Sequence, residues 1–165
     1  EVASKYKIKP DSFVFPFNSE GHYEVLKHYG FKIYRSRNTG GYLKIKNKKI
    51  KRIIQILDRI FALCPSTGKV EADKNGLLKI PGDFCYFRYK GWKHYLTWKS
   101  AVRKSKKGID KAIDNGEVFH FWFHPFELAA NLNESIKDLD EILSYASRKV
   151  NLGLLENRTM NQLAV

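Results

Sequence analysis

The chain has little of several things that would narrow its class. Only two of its 165 residues are cysteine, Cys64 and Cys85, too few for a disulfide scaffold and without the paired spacing of a zinc site. They read as free buried thiols, which favours a reducing compartment, and a cytoplasmic location is the expectation. No apolar run approaches the roughly 20 residues of a membrane-spanning helix, so no membrane span is expected. The first residues, EVASKYKIKPD, lack the layout of a signal peptide. Methionine occurs once, at Met160, and the chain opens on Glu1, as expected of a processed chain or a piece of a longer one. No glycine-rich phosphate loop or helix-turn-helix pattern is present, and no two aspartates are adjacent anywhere.

What is present suits one globular domain spanning 1–165. A hydrophobic fraction of 43% with 14% aromatic residues is enough for a core at this length. The net charge of +13 is concentrated in the first two thirds. Residues 1–111 hold 26 of the 30 Lys and Arg and 9 of the 17 Asp and Glu, whereas 112–165 hold 4 and 8. Two stretches are densely basic, KIKNKKIKR (44–52) and KSAVRKSKKGIDK (99–111). Such a surface suits nucleic acid, anionic glycan or lipid head groups, or it is simply a solvated face. With no recognisable nucleic-acid module, nucleic acid is not the expected partner.

Hydrophobic spacing divides the chain into four strand-then-helix units. SFVFP (12–16) reads as a strand, followed by a short helix from Ser19 to Tyr29 that Gly30 ends in a left-handed conformation. FKIY (31–34) is the second strand. After an Asn-Thr-Gly-Gly turn, Ile50, Ile53, Ile54, Leu57, Ile60 and Phe61 recur at helical spacing, predicting an amphipathic helix over 47–63 with its lysines outward. GLLKIP (76–81) supplies the third strand. A long aromatic loop (83–98) follows, in which Tyr86, Tyr89, Trp92, Tyr95 and Trp98 are candidates for stacking on sugar rings. A second amphipathic helix covers about 98–113, and a long one, capped by Asn133, covers about 134–149. Thr159 and Gln162 hold capping-box positions for a last short helix. Strands alternating with helices predict an α/β fold with parallel pairing.

The fourth strand, VFHFWFH (118–124), is the most apolar stretch. His120 and His124 are four apart, a spacing that grips one metal ion on a helix but separates the two rings by roughly 13 Å on a strand. β-branched and aromatic composition, short length and the following Pro125 predict a strand. Val118, His120, Trp122 and His124 then face one way, and Phe119, Phe121 and Phe123 the other. Two apolar faces predict a central strand of a parallel sheet, covered on both sides. His124, at its carboxyl end, is placed for chemistry, and His120 for packing.

SFVFPFNSEGHYEVLKHYGFKIYRSR (12–37), GIDKAIDNGEVFHFWFHPFELA (108–129) and IKDLDEILSYASRKVNLGLLENRTMNQLA (136–164) resemble the NodB-type polysaccharide deacetylases, carbohydrate esterase family four. Residues 38–97 carry little of the likeness. FHFWFHP looks like the family's last motif, in which a strand-end histidine protonates the leaving amine, and that role falls on His124. SFVFPFN looks like the third motif, flanking the substrate cleft, which assigns Pro16, Phe17 and Asn18, together with Trp122, to substrate binding. Two positions depart from the pattern: Phe17 stands where relatives tend to carry Arg, and Glu127 where Asn is common.

The family's Thr-Phe-Asp-Asp and His-Ser/Thr-x-x-His motifs would lie upstream of Glu1. The resemblance therefore implies the carboxyl-terminal half of a deacetylase domain, part of a distorted (β/α) barrel, completed by its amino-terminal half or an oligomeric partner. It implies hydrolysis of N-acetyl groups on an amino-sugar glycan. In the complete protein a divalent metal, zinc by expectation, would polarise the acetyl carbonyl, and this chain alone would hold none. A deacetylase-like scaffold without activity, and a basic domain binding anionic glycan or nucleic acid, are the competing classes.

Overall fold

The computed structural model describes residues 2–37, 45–63, 65–82, 84–86 and 99–164. The Asn-Thr-Gly-Gly turn, Cys64, and the loop aromatics Tyr89, Trp92, Tyr95 and Trp98 lie outside the described residues.

The fold is mixed α/β around a parallel sheet. Strand β1 (Ser12–Val14) pairs in parallel with β2 (Ile33–Ser36), and β2 in parallel with β4 (Leu78–Pro81). The fourth member, β3 (Glu71–Ala72), runs antiparallel to β4, so the order is β1-β2-β4-β3. This edge strand departs from the expected all-parallel pairing. Its cause is local: the Asp73 carboxylate accepts from the backbone N–H groups of Asn75 (2.8 Å) and Leu77 (2.9 Å). That turn folds the chain straight back onto itself, as Asx turns do.

The run 118–124 also differs from expectation. Only β6 (Phe121–Trp122) forms a ladder, in parallel with β5 (Phe84–Cys85), and these two make a separate sheet. Val118 bridges antiparallel to Gly68. The backbone is extended all the same: the carbonyls of His120 and Trp122 accept from the N–H groups of Phe84 (3.1 Å) and Tyr86 (2.8 Å). The run is therefore no central strand of the main sheet, because its only ladder among the described strands is with β5.

Two helices pack against this second sheet, α4 (Ser100–Asn115) and α6 (Leu132–Asn151). Helix α4 buries Val102, Ser105, Gly108, Ile109 and Ala112, the spacing of one helical face. Gly108 is required by contact, since a Cβ there would lie 2.4 Å from the Phe119 ring. Tyr86, Val102, Leu128, Leu139 and Ile142 form the core on this side, with Phe84 and Phe121 packed on it. Inside it the Tyr86 hydroxyl donates to Asp138 at 3.0 Å. Tyr86, 1% exposed, is thus a core residue and no platform for a sugar. Helix α6 begins at Leu132 rather than after Asn133, because the chain is already helical through α5 (Pro125–Leu128) and a 3-10 turn (Ala129–Asn131).

On the other side, α2 (Tyr23–His28) covers a core of Phe15, Leu26, Tyr34 and Leu77. It ends at Gly30 with φ +82°, as its sequence requires. Its start is shorter than expected, since Phe17, Asn18 and His22 all adopt left-handed backbone. At the carboxyl end of the chain Thr159 and Gln162 form the expected reciprocal cap, with the Thr159 N–H donating to Gln162 Oε1 at 2.7 Å and the Gln162 N–H to Thr159 Oγ1 at 3.4 Å.

Helix α3 (Lys48–Phe61), capped by the Asn47 side chain, is amphipathic in the wrong direction. Lys48 and Lys49 are outward as expected, but so are Ile50, Ile53, Ile56, Leu57 and Phe61. The inward side instead carries Asp58, 1% exposed and ion-paired with Lys104 of α4. Arg103 and Lys107 of α4 donate to the carbonyls of Ile60 (3.0 Å) and Ala62 (3.0 Å) at the carboxyl end of α3. Cations satisfying a helix's last carbonyls and buried carboxylate fix its orientation.

Candidate functional site at the strand ends

Strand carboxyl ends meet on one side of the molecule. The chain leaves β1 through the 3-10 turn Pro16–Asn18, in which Phe17 (φ +54°) and Asn18 (φ +53°) are both left-handed. Such backbone costs on the order of 1 kcal/mol per residue for a side chain like phenylalanine. The turn brings Asn18 back over β2, where its Oδ1 accepts from Arg35 Nη2 at 3.1 Å. The Asn18 carbonyl also accepts from Arg37. Gly82, just past β4, lies so close that a Cβ would fall 2.4 Å from the Ser36 carbonyl and 3.4 Å from Arg35 Cγ.

Arg35 is the centre of the arrangement. It is 9% exposed, and its guanidinium carbon sits 4.1 Å from the centroid of the Trp122 ring. Trp122 in turn meets His124 edge-on at 5.3 Å, and His124 stacks on Phe126 at 5.1 Å. Asn18, Arg35, Trp122, His124 and Phe126 thus touch in series: a hydrogen bond, a cation–π contact, an edge contact and a stack. His124 is exposed and extended (φ −95°, ψ 129°) at the entry to α5, with its backbone N–H donating to the Glu127 carboxylate at 3.4 Å.

The electrostatics follow from burial. Desolvation lowers the pKa of Arg35, though guanidinium remains cationic in proteins. Burial, with Glu127 nearby, pushes the Cys85 thiol up to about 11 against the opposing charge of Arg35. Cys85 is therefore held in its thiol form at neutral pH. His120 lies on the same side as Trp122. Burial first and Arg35 second push its pKa down, partly offset by its hydrogen bond to the Pro81 carbonyl.

Of the residues expected from sequence, Asn18, Trp122 and His124 come together. Pro16 and Phe17 are exposed, Phe17 at 99%, and neither reaches the series of contacts. Arg35 was missed. The second strand, read as 31–34, runs on two residues further to Ser36, and an arginine continuing an apolar strand next to a predicted cleft is itself a signal of a buried charge. No group of three or more His, Cys, Asp or Glu among the described residues can hold a metal ion. The resemblance places the ligands of its divalent metal upstream of Glu1, outside these residues.

The second basic stretch is not a free surface. Lys99 and Lys106 pair with Glu141 of α6 at 3.8 and 2.6 Å, and Lys104 pairs with Asp58. Arg103, Lys107 and Lys111 donate to backbone carbonyls at Ile60, Ala62 and Pro65. All six cations are engaged within the chain, which weakens the case for a phosphate-binding face there. No helix among the described residues is long and apolar enough to cross a membrane.

Comparison with known proteins gives no match: no family model, no curated protein and no solved structure matches the chain.

Proposed function

We propose that this chain carries the leaving-group side of a polysaccharide deacetylase site, acting on N-acetyl groups of amino-sugar glycans in the protein at its full natural length. Its sheet would then be the second half of a distorted (β/α) barrel. The observation that carries the reading is the exposed His124 imidazole at the carboxyl end of a parallel strand pair, held between Trp122 and Phe126. The string likeness around FHFWFHP supports it independently.

An amide nitrogen leaves poorly unless it is protonated as the C–N bond breaks. In the proposed reaction water adds to the acetyl carbonyl and gives its proton to a base that the resemblance places upstream of Glu1, the C–N bond breaks, and protonated His124 gives its proton to the departing nitrogen. Acetate and the free amino sugar result. The Glu127 carboxylate holds the backbone at His124, and Trp122 and Phe126 limit the ring's rotation. Arg35 lies over the same Trp122 ring that meets His124 edge-on.

The test is release of acetate and free amine from N-acetylglucosamine oligomers by the full-length natural protein, with zinc or cobalt supplied. The expected result is turnover that falls by about 10² to 10⁴ in His124→Ala. Binding of the oligomers without hydrolysis would replace this reading by a deacetylase-like scaffold, and neither binding nor hydrolysis would remove it.

A further inference from the structure

Arg35 is a buried cation whose immediate partners among the described residues are neutral. Its Nη2 donates to the Asn18 amide oxygen and its plane rests on the Trp122 indole. Among the described residues no carboxylate forms an ion pair with it, and its buried Nε has no hydrogen-bond partner. The neighbouring Trp122 Nε1–H is buried and unpartnered as well. Among the described residues, the two titratable groups coupled to Arg35 supply no negative charge. Cys85 is a thiol at neutral pH, and His120 is held toward its neutral form by burial and by Arg35 itself. A charge taken out of water and left uncompensated is strongly unfavourable, and a buried donor without an acceptor adds to the cost. Two orphaned donors on two side chains in contact, one of them cationic, suit an anionic acceptor.

We propose that Arg35 and Trp122 form a carboxylate-binding site at the strand ends, filled by a small free acid or by the carboxylate of an acidic sugar. The guanidinium edge matches a planar carboxylate better than a spherical or tetrahedral anion. Nε supplies one N–H and Nη2 retains a second beside the one given to Asn18, while the indole supplies a third to the other lone pairs. The flank of the site beyond Trp122 carries two exposed side chains, His124 and Phe126. A ligand enters by displacing these and not by opening the core. The site is independent of proton donation by His124, so it stands or falls separately from hydrolysis.

The experiment titrates the chain with sodium acetate and with sodium glucuronate. Sodium chloride at matched ionic strength and neutral acetamide serve as controls. Two signals are followed: the indole N–H resonance that disappears in Trp122→Phe, and the thermal midpoint. The expected result is a saturable shift of that resonance and a rise in the midpoint with at least one carboxylate, and neither with acetamide. Stronger binding of acetate identifies a small free acid, and stronger binding of glucuronate an acidic sugar. Arg35→Met should lose both responses, and in carboxylate-free buffer it should melt no lower than the parent, because it removes the uncompensated charge. Where that variant does not fold, Arg35→Lys, which keeps the charge but loses the fork, should bind at least tenfold more weakly. No response to either carboxylate, an equal response to chloride, or full affinity in Arg35→Lys would overturn the site.

Discussion

The two faces of the run from Val118 to His124 look equally apolar in sequence and have opposite partners. Phe119, Phe121 and Phe123 turn toward aromatic rings and helix backbone: Phe119 stacks on Phe84 and covers Gly108, and Phe121 packs on Phe84, Tyr86 and Phe123. His120, Trp122 and His124 turn toward a hydrogen-bonding carbonyl, a cation and an exposed rim. One face stabilises by area removed from water. The other holds polar groups whose partners come from different strands, and only there can chemistry depend on position. Alternation along seven residues therefore separates scaffold from site more sharply than hydrophobicity does.

That contrast can be broken most forcefully at Phe121. Replacing it by Ala should cost about 3 kcal/mol, the low end for a large aromatic because the ring is only half-buried, read as a lowered urea midpoint with unchanged slope. His120→Ala should cost on the order of 1 to 3 kcal/mol, by leaving a cavity and stranding the Pro81 carbonyl.

His120 also gives the contrast a pH signature. Its folded pKa lies below the ordinary value near 6.5, so the unfolded chain takes up a proton that the folded chain resists. Its contribution is fully retained above about pH 6.5 and lost as pH falls below it. His120→Asn, which does not titrate, should flatten the decline in stability between about pH 6.5 and 5. Urea melts at both ends of that window check it, and an unchanged slope would mean that His120 is not held neutral.

On the helix side, Gly108→Ala should destabilise by about 1 kcal/mol, since displacing the Phe119 ring outweighs the better helix propensity of alanine. The smallest effect on stability is expected at His124. His124→Ala should move the urea midpoint by an amount worth less than about 0.5 kcal/mol, as exposed substitutions do, even with the fall in turnover proposed above. A loss at His124 as large as that at His120 would erase the distinction between donor and packing residue.

Much of this arrangement was legible beforehand. Gly30, the Thr159–Gln162 cap, the parallel core strands and the extended run at 118–124 all follow from local chemistry that acts within a few residues. The misses share one cause, which is that they are decided by distant partners. Glu71 and Ala72 form an edge strand because an Asx turn returns them to β4, and two residues leave no periodic pattern. Helix α3 has the expected apolar stripe, but spacing states only that two faces differ. Asp58 and the cations of α4 decide which one is turned inward. Arg35 belongs to the site because Asn18 and Trp122, from 17 residues before it and 87 after it, close around it.

The outward stripe of α3 makes the solution behaviour of this protein a contest between repulsion and adhesion. Ile50, Ile53, Ile56, Leu57 and Phe61 lie beside Lys48, Lys49 and Arg52, and the molecule as a whole carries +13. In dilute buffer like charges keep such surfaces apart. As salt shortens the screening length from about 30 Å at 0.01 M to about 8 Å at 0.15 M, that repulsion fades while the apolar stripe is unaffected. The chain should therefore be more soluble at low ionic strength than at high. Light scattering across a salt series would show its second virial coefficient changing sign.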